Sequence, residues 1–283
     1  MTIKRILFRL AVRGLETLLM LMPVRRTLSW RRLMNAPIEE GELDVVTIAF
    51  NNPFVLEQQM LFMEKNLVGP YRHIVVDNSS DKKQRDKIRL LCEERGVDYV
   101  SMPSNRLGLM GFSYSHAGAL NWTWKKIISR RRPTYFGFLD HDLYPVKRID
   151  IRAELSNQPI YGLLKEYGVG EEMCWYLWAG LCFYRNDFVK GMKLDFMPVT
   201  PYRTYLDTGG GNWYSMYSKM DRSGLRLAEM EYVEFPEMVG MLDDKMALMD
   251  EGRWLHSTNG SNWKQKSEER DAVVEAVMKR FLR

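Results

Sequence analysis

Asp140, His141 and Asp142 follow the apolar run Tyr-Phe-Gly-Phe-Leu, so two carboxylates one residue apart stand where a buried strand would end. Two such carboxylates can hold one divalent cation. Oxygen ligands suit Mg²⁺ or Mn²⁺, which keep open positions for diphosphate oxygens. The competing reading is a strand-end turn with solvated acids. His256, one of only four histidines, offers an imidazole that Mn²⁺ accepts beside carboxylates; otherwise it is a hydrogen-bonded loop histidine. Asp207 precedes Gly209, Gly210 and Gly211. A carboxylate there can take a proton from a hydroxyl, and the glycines let backbone come close to a ligand. The alternative is a tight turn with a capping Asp ahead of a helix at Asn212.

These residues need elements to hold them. Asp44 to Phe50 reads as a buried strand by its β-branched content, broken by Asn51-Asn52-Pro53, with a helix over Val55 to Leu67. Tyr71 to Val76 is a second strand, Lys82 to Arg95 a charged helix closed by Gly96, and Val97 to Met102 a third strand. Ser113 to Ile128 is helical, and Tyr135 to Leu139 is a fourth strand. Strands alternating with helices predict an α/β fold with a mostly parallel sheet and right-handed crossovers. Ligands on such sheets bind beyond the carboxyl ends of the strands. Asn51-Asn52, Asp77-Asn78 and Asp140-His141-Asp142 all fall at those ends. Neither GxGxxG nor GxxxxGK[ST] occurs, so the usual backbone cradles for phosphate are missing and a metal on the acidic cluster takes their place.

The 283 residues are 46% hydrophobic, 27% charged and 12% aromatic, which excludes a disordered chain. Three scattered cysteines make neither a disulfide framework nor a zinc site and point to a reducing compartment. The net charge of +5 divides unevenly: residues 1–34 carry +7 and the remainder −2. A basic stripe on the body is therefore missing, and nucleic acid is not an expected partner. Residues 3–22 read as an amphipathic helix, with Arg5, Arg9, Arg13 and Glu16 on one face and Pro23 at its end. Its longest uncharged run is too short to span a bilayer, and no small-residue cleavage site follows. Together with Arg25, Arg26, Trp30, Arg31 and Arg32 it suits an anionic membrane surface, with Trp30 at headgroup depth. The other reading packs the helix on the protein's own core. The chain then divides into a basic segment and linker (1–40), a catalytic domain (41–263) and a charged C-terminal helix (264–283) that packs on the body or a partner.

In their order along the chain, Phe50-Asn51-Asn52, Val75 to Ser80, Gly118-Ala119-Leu120-Asn121, Phe138 to Asp142 and Trp178-Ala179-Gly180 resemble nucleotide-sugar glycosyltransferases of the GT-A fold, closest in style to family 2. The resemblance covers about residues 44 to 263. It implies a GT-A-like sheet and a nucleotide-sugar donor. Phe50, Asn52, Asp77, Asn121 and Asp140 would face that donor, with Asp77 on the nucleobase, and Arg106 could approach the diphosphate. It also implies Mn²⁺ or Mg²⁺ on Asp140 and Asp142, joined by His256, with the backbone of Gly260-Ser261-Asn262 offered to phosphate. Asp207 lies where the family places its acceptor-activating acid, although the usual acidic pair is absent. Sugar rings stack on aromatic planes, so Trp178, Trp213 and Tyr214 are candidates for the acceptor; core packing is the alternative for each. His116, near the Gly108 to Gly111 loop, stays open. The expected activity is inverting sugar transfer to a glycan or lipid-linked acceptor in cell-surface polysaccharide synthesis, by a peripheral protein on the cytoplasmic face of the membrane. The rivals are a nucleotidyltransferase and a non-catalytic GT-A-like scaffold.

Overall fold

A computed structural model describes residues 3–238, 246–257 and 268–282. Two helices open the chain, α1 (Ile3–Leu21) and α2 (Leu28–Asn35). The alternating half follows as β1 (Leu43–Ala49), α3 (Pro53–Asn66), β2 (Arg72–Asp77), α4 (Lys82–Glu94), β3 (Asp98–Ser101) and α5 (Phe112–Thr123). One π-helical turn (Trp124–Ile128) joins α5 to the short α6 (Ser129–Arg131), and β4 (Tyr135–Asp140) ends this half. Then come β5 (Leu143–Pro145), α7 (Ile151–Glu154), β6 (Ile160–Tyr167), β7 (Cys174–Arg185) and α8 (Asn186–Val189). The last elements are β8 (Met230–Val233), β9 (Met246–Met249), β10 (Trp254–Ser257) and α9 (Glu268–Leu282).

The main sheet runs β3-β2-β1-β4-β7-β6. β1 to β4 are mutually parallel, and β7 runs antiparallel between β4 and β6. This is the α/β class with a mostly parallel, helix-flanked sheet that the sequence predicts, in the arrangement the GT-A resemblance implies. Alternation along β1 explains the layering. Val46 and Ile48 point toward α5, α1 and α2, while Leu43, Val45 and Ala49 point toward the α3 and α4 side. Register brings the polar clusters to one edge, with Ala49 opposite Asp77 and Ile48 opposite Asp140. Strand order reverses between β1 and β4, the point where open α/β sheets leave a crevice.

A second sheet, β5-β10-β9-β8, is antiparallel throughout and is absent from the sequence reading. Its strands are three or four residues long, too short for a periodicity to declare itself.

The N-terminal segment is part of the body. Val12, Leu19, Trp30 and Leu33 are buried in the core cluster that holds α5. Arg13 pairs with Asp195 at 2.6 Å, and Arg131 donates to Asp44 at 2.8 Å and to the Leu33 carbonyl at 2.5 Å. Trp30, expected at headgroup depth, is 7% exposed and belongs to this core. The exposed surface of α1 nevertheless carries large apolar side chains beside its basic ones, among them Leu7, Leu10, Leu18 and Leu21. α9 packs on the body through Val274, Val277 and Met278. Among the described residues no helix is long and apolar enough to cross a membrane.

Candidate functional site

β4 runs straight into the acidic turn, which three separate elements hold in place. From α3, Gln59 donates to the Asp140 carbonyl at 2.6 Å and the Leu143 carbonyl at 2.8 Å. After β1, the Phe50 amide donates to His141 Nδ1 at 3.2 Å. From β10, the Ser257 amide donates to the Asp142 carbonyl at 3.0 Å. β10 pairs antiparallel with β5 with His256 opposite Leu143, and this places His256 Nε2 3.3 Å from Asp142 Oδ1. The late histidine therefore reaches the acids through the second sheet.

Asp140, Asp142 and His256 each offer one ligand atom, and these atoms lie within 4.8 Å of one another. Two hard oxygens and one imidazole nitrogen at that spacing fit Mn²⁺ or Mg²⁺. His116, on the first turns of α5, lies with Nε2 3.3 Å from Asp140 Oδ1. The environment splits the two carboxyls. Burial pushes Asp140 up, against the pull of His116. Burial also works to raise Asp142, but His256 beside it wins and holds that carboxyl below its usual range. Reciprocally, burial works to lower His256 and Asp142 outweighs it, so the imidazole stands above its ordinary value. Burial pulls His141 down, which suits a neutral ring accepting from the Phe50 amide.

These groups face a pocket of about 390 Å³ that also takes in Phe50, Asn78, Trp178 and Asp207. Phe112, Ser113 and Ser115 line it from the start of α5. Asp207 is half-buried, with Tyr205 donating to its Oδ1 at 3.3 Å and its own amide donating to Tyr176 Oη at 3.2 Å. Trp178 lies on His256, ring centroids 5.0 Å apart. Gly180 makes this possible, because a Cβ there would stand 2.2 Å from the Trp178 ring.

Several residues singled out from sequence lie elsewhere. The Asp77 side chain is fully buried, accepting from the Tyr99 hydroxyl at 2.7 Å and the Ser79 amide at 2.8 Å; its neighbour Asn78 lines the pocket instead. Asn121 ties α1 to the body, donating to Glu16 at 2.6 Å and Asp195 at 3.0 Å and accepting from the Phe196 amide at 2.8 Å. Asn52 caps α3 by accepting from the Val55 amide. Arg106 is exposed on a 3-10 turn (Arg106–Met110) outside the pocket lining. Trp213 is buried in the core, and Tyr214 is exposed away from the pocket lining. Two of the glycines after Asp207 are required by the fold: a Cβ on Gly209 would sit 2.7 Å from the Leu177 carbonyl, and one on Gly211 2.4 Å from the Asp195 carbonyl. Gly260-Ser261-Asn262 lies outside the described residues.

From sequence, Phe112, Ser113 and Ser115 carry no expectation of a site role, His141 has no role apart from its place between the two acids, and His116 stays open. A signal was present. A helix that follows a strand in a parallel sheet begins at the ligand-binding edge, so the first turn of α5 belonged on the candidate roster.

No family model matches the chain, and no curated protein matches it. Solved structures similar to it include TarS of S. aureus, at 15% identity and TM-score 0.37 over 55% of this chain and 30% of that one. Another is the mannosyltransferase PcManGT from Pyrobaculum calidifontis in complex with GDP-Man and Mn²⁺, at 15% identity and TM-score 0.39 over 65% of this chain and 56% of that one. A third is the galactosyltransferase LgtC with donor and acceptor sugar analogs, at 15% identity and TM-score 0.37 over 50% of this chain and 58% of that one. The chain spans less than two thirds of the length of each of these three.

Proposed function

We propose that the protein is a metal-dependent glycosyltransferase that moves a sugar from a nucleotide-sugar donor to a hydroxyl of a glycan or lipid-linked acceptor, with inversion, in cell-surface polysaccharide synthesis. The observation that carries this reading is the meeting of Asp140, Asp142 and His256 on one pocket with Asp207 and Trp178. Asp140, Asp142 and His256 would hold Mn²⁺ or Mg²⁺. Such an ion supplies positive charge that offsets the charge developing on a leaving diphosphate.

The remaining work falls to the chain. Trp178 offers a flat apolar face for a sugar ring, held by its contact with His256. Asp207 takes the proton from the acceptor hydroxyl as that oxygen bonds to the anomeric carbon. The bond from that carbon to the phosphate oxygen breaks, and its electron pair leaves with the nucleoside diphosphate. One displacement, with the base serving the attacking oxygen, inverts the anomeric configuration. Gln59 and the Phe50 amide keep the acidic turn from shifting, so the carboxylates are preorganised.

Asp207→Asn keeps the shape of the side chain and removes the proton acceptor. In a screen of nucleotide-sugars against glycan and lipid-linked acceptors, transfer should fall by roughly 10²–10⁴ while donor binding is retained. Near wild-type transfer would remove Asp207 from the role of base. Metal-dependent donor binding with no transfer by the wild type to any acceptor would favour the non-catalytic scaffold.

A further inference from the structure

α1 has two apolar sides, and the body uses only one. Val12 and Leu19, seven residues apart and so on one face, are buried. Ile3, Leu7, Leu10, Leu18 and Leu21, with Gly14 in the gap, recur at spacings of four, three, four, four and three, which is a continuous stripe on a helix. Those five side chains are from 54% (Leu18) to 76% (Ile3) exposed. A helix of this length lies about 28 Å along a surface. Water is a poor neighbour for five large aliphatic side chains in a row, so the stripe is built to be covered.

We infer that this stripe docks α1 lengthwise on an anionic lipid bilayer, while the opposite, body-facing side of the helix lies close to the pocket wall. Charge selects the occupant. Residues 1–34 carry +7, and among the described residues Lys4, Arg5, Arg25, Arg26 and Arg31 form no ion pair. A second copy meeting stripe to stripe would bring two +7 segments together, whereas an anionic headgroup layer neutralises both the helix and its flank. Leu28, on the following helix, adds an 84% exposed aliphatic side chain.

The link to the pocket is short. The Phe8 ring of α1 meets Tyr114 edge-on, with centroids 5.4 Å apart. Tyr114 stands between Ser113 and Ser115, and all three follow Phe112; Phe112, Ser113 and Ser115 line the pocket, Phe112 at 70% exposed. One side chain thus separates the docking helix from the pocket wall.

The test is sedimentation of the full chain with phosphatidylcholine vesicles and with vesicles that also contain phosphatidylglycerol, at low and high salt. Binding should require phosphatidylglycerol and weaken with salt. In the variant Leu7→Glu/Leu10→Glu it should fall by about tenfold or more. Both side chains are exposed, so the variant should keep the wild-type circular dichroism and melting temperature. Equal sedimentation of the variant and the wild type would overturn the inference. So would a wild-type dimer that the variant turns into monomer while neither binds vesicles, because a second copy would then be the occupant.

Discussion

Thr47 has one hydroxyl proton, and it goes to Gln59 Oε1 at 2.7 Å. His73 Nε2, 3.0 Å from the same hydroxyl, must therefore be the donor, which excludes the tautomer protonated on Nδ1 alone. Burial pulls this imidazole down to about 4 from an ordinary 6.5, with Asp98 opposing. The unfolded chain takes up a proton as pH falls through 6.5, and the folded chain does not do so until near 4. Stability is therefore lost on acidification across that window, by about 3 kcal/mol when complete. His73→Gln keeps a donor for Thr47 and removes the titration. Urea midpoints for both proteins from pH 7 to 4 should diverge, the wild type losing more. Parallel curves would remove His73 from the acid response. Asp140, Asp142 and His256, singled out from sequence, are brought together by the fold. Asp77, Asn121 and Trp213 are engaged inside the fold instead, because a polar or aromatic residue at the right place along the chain serves the fold equally well. Only side-chain direction separates the two uses.

α3 illustrates a role that no pattern announces. Its apolar positions bury it, and among them Gln59 is completely buried, joining Thr47 to the carbonyls of Asp140 and Leu143. Gln59→Leu preserves volume but takes the side-chain donor from two carbonyls and the acceptor from the Thr47 hydroxyl proton. Losing such bonds costs about 1–3 kcal/mol for an unsatisfied buried group. The melting temperature should drop, and metal-dependent nucleotide affinity should weaken although every ligand atom remains. A variant that melts lower yet binds as the wild type does would show that Gln59 supports the fold without positioning the site. The long periodic elements, β1 through β4 with α3, α4 and α5, were legible because burial on both sheet faces demands β-branched runs. The second sheet was not. The resemblance joins His256 to Asp142, but the element that holds it there, the pairing of β10 with β5, is a contact between positions far apart in the chain that no local pattern shows.

The protein joins a pocket at the strand-order reversal to a basic helix that carries an exposed apolar stripe. The sequence left the N-terminal segment as either a membrane binder or a core helix, and the fold shows why the residues admit both: one face closes the core while the other stays uncovered. Asp140, Asp142 and His256 should bind a divalent cation that carries a nucleoside diphosphate. Calorimetric titration of nucleoside diphosphates into the full chain, with Mn²⁺ and then with excess chelator, tests it for the wild type and for Asp142→Ala. One nucleoside diphosphate should bind only with Mn²⁺. Its affinity in the folded variant should fall by more than the roughly 10–100-fold typical of losing a group that merely supports a metal ligand. Binding that is indifferent to Mn²⁺, or unchanged in folded Asp142→Ala, would contradict the account.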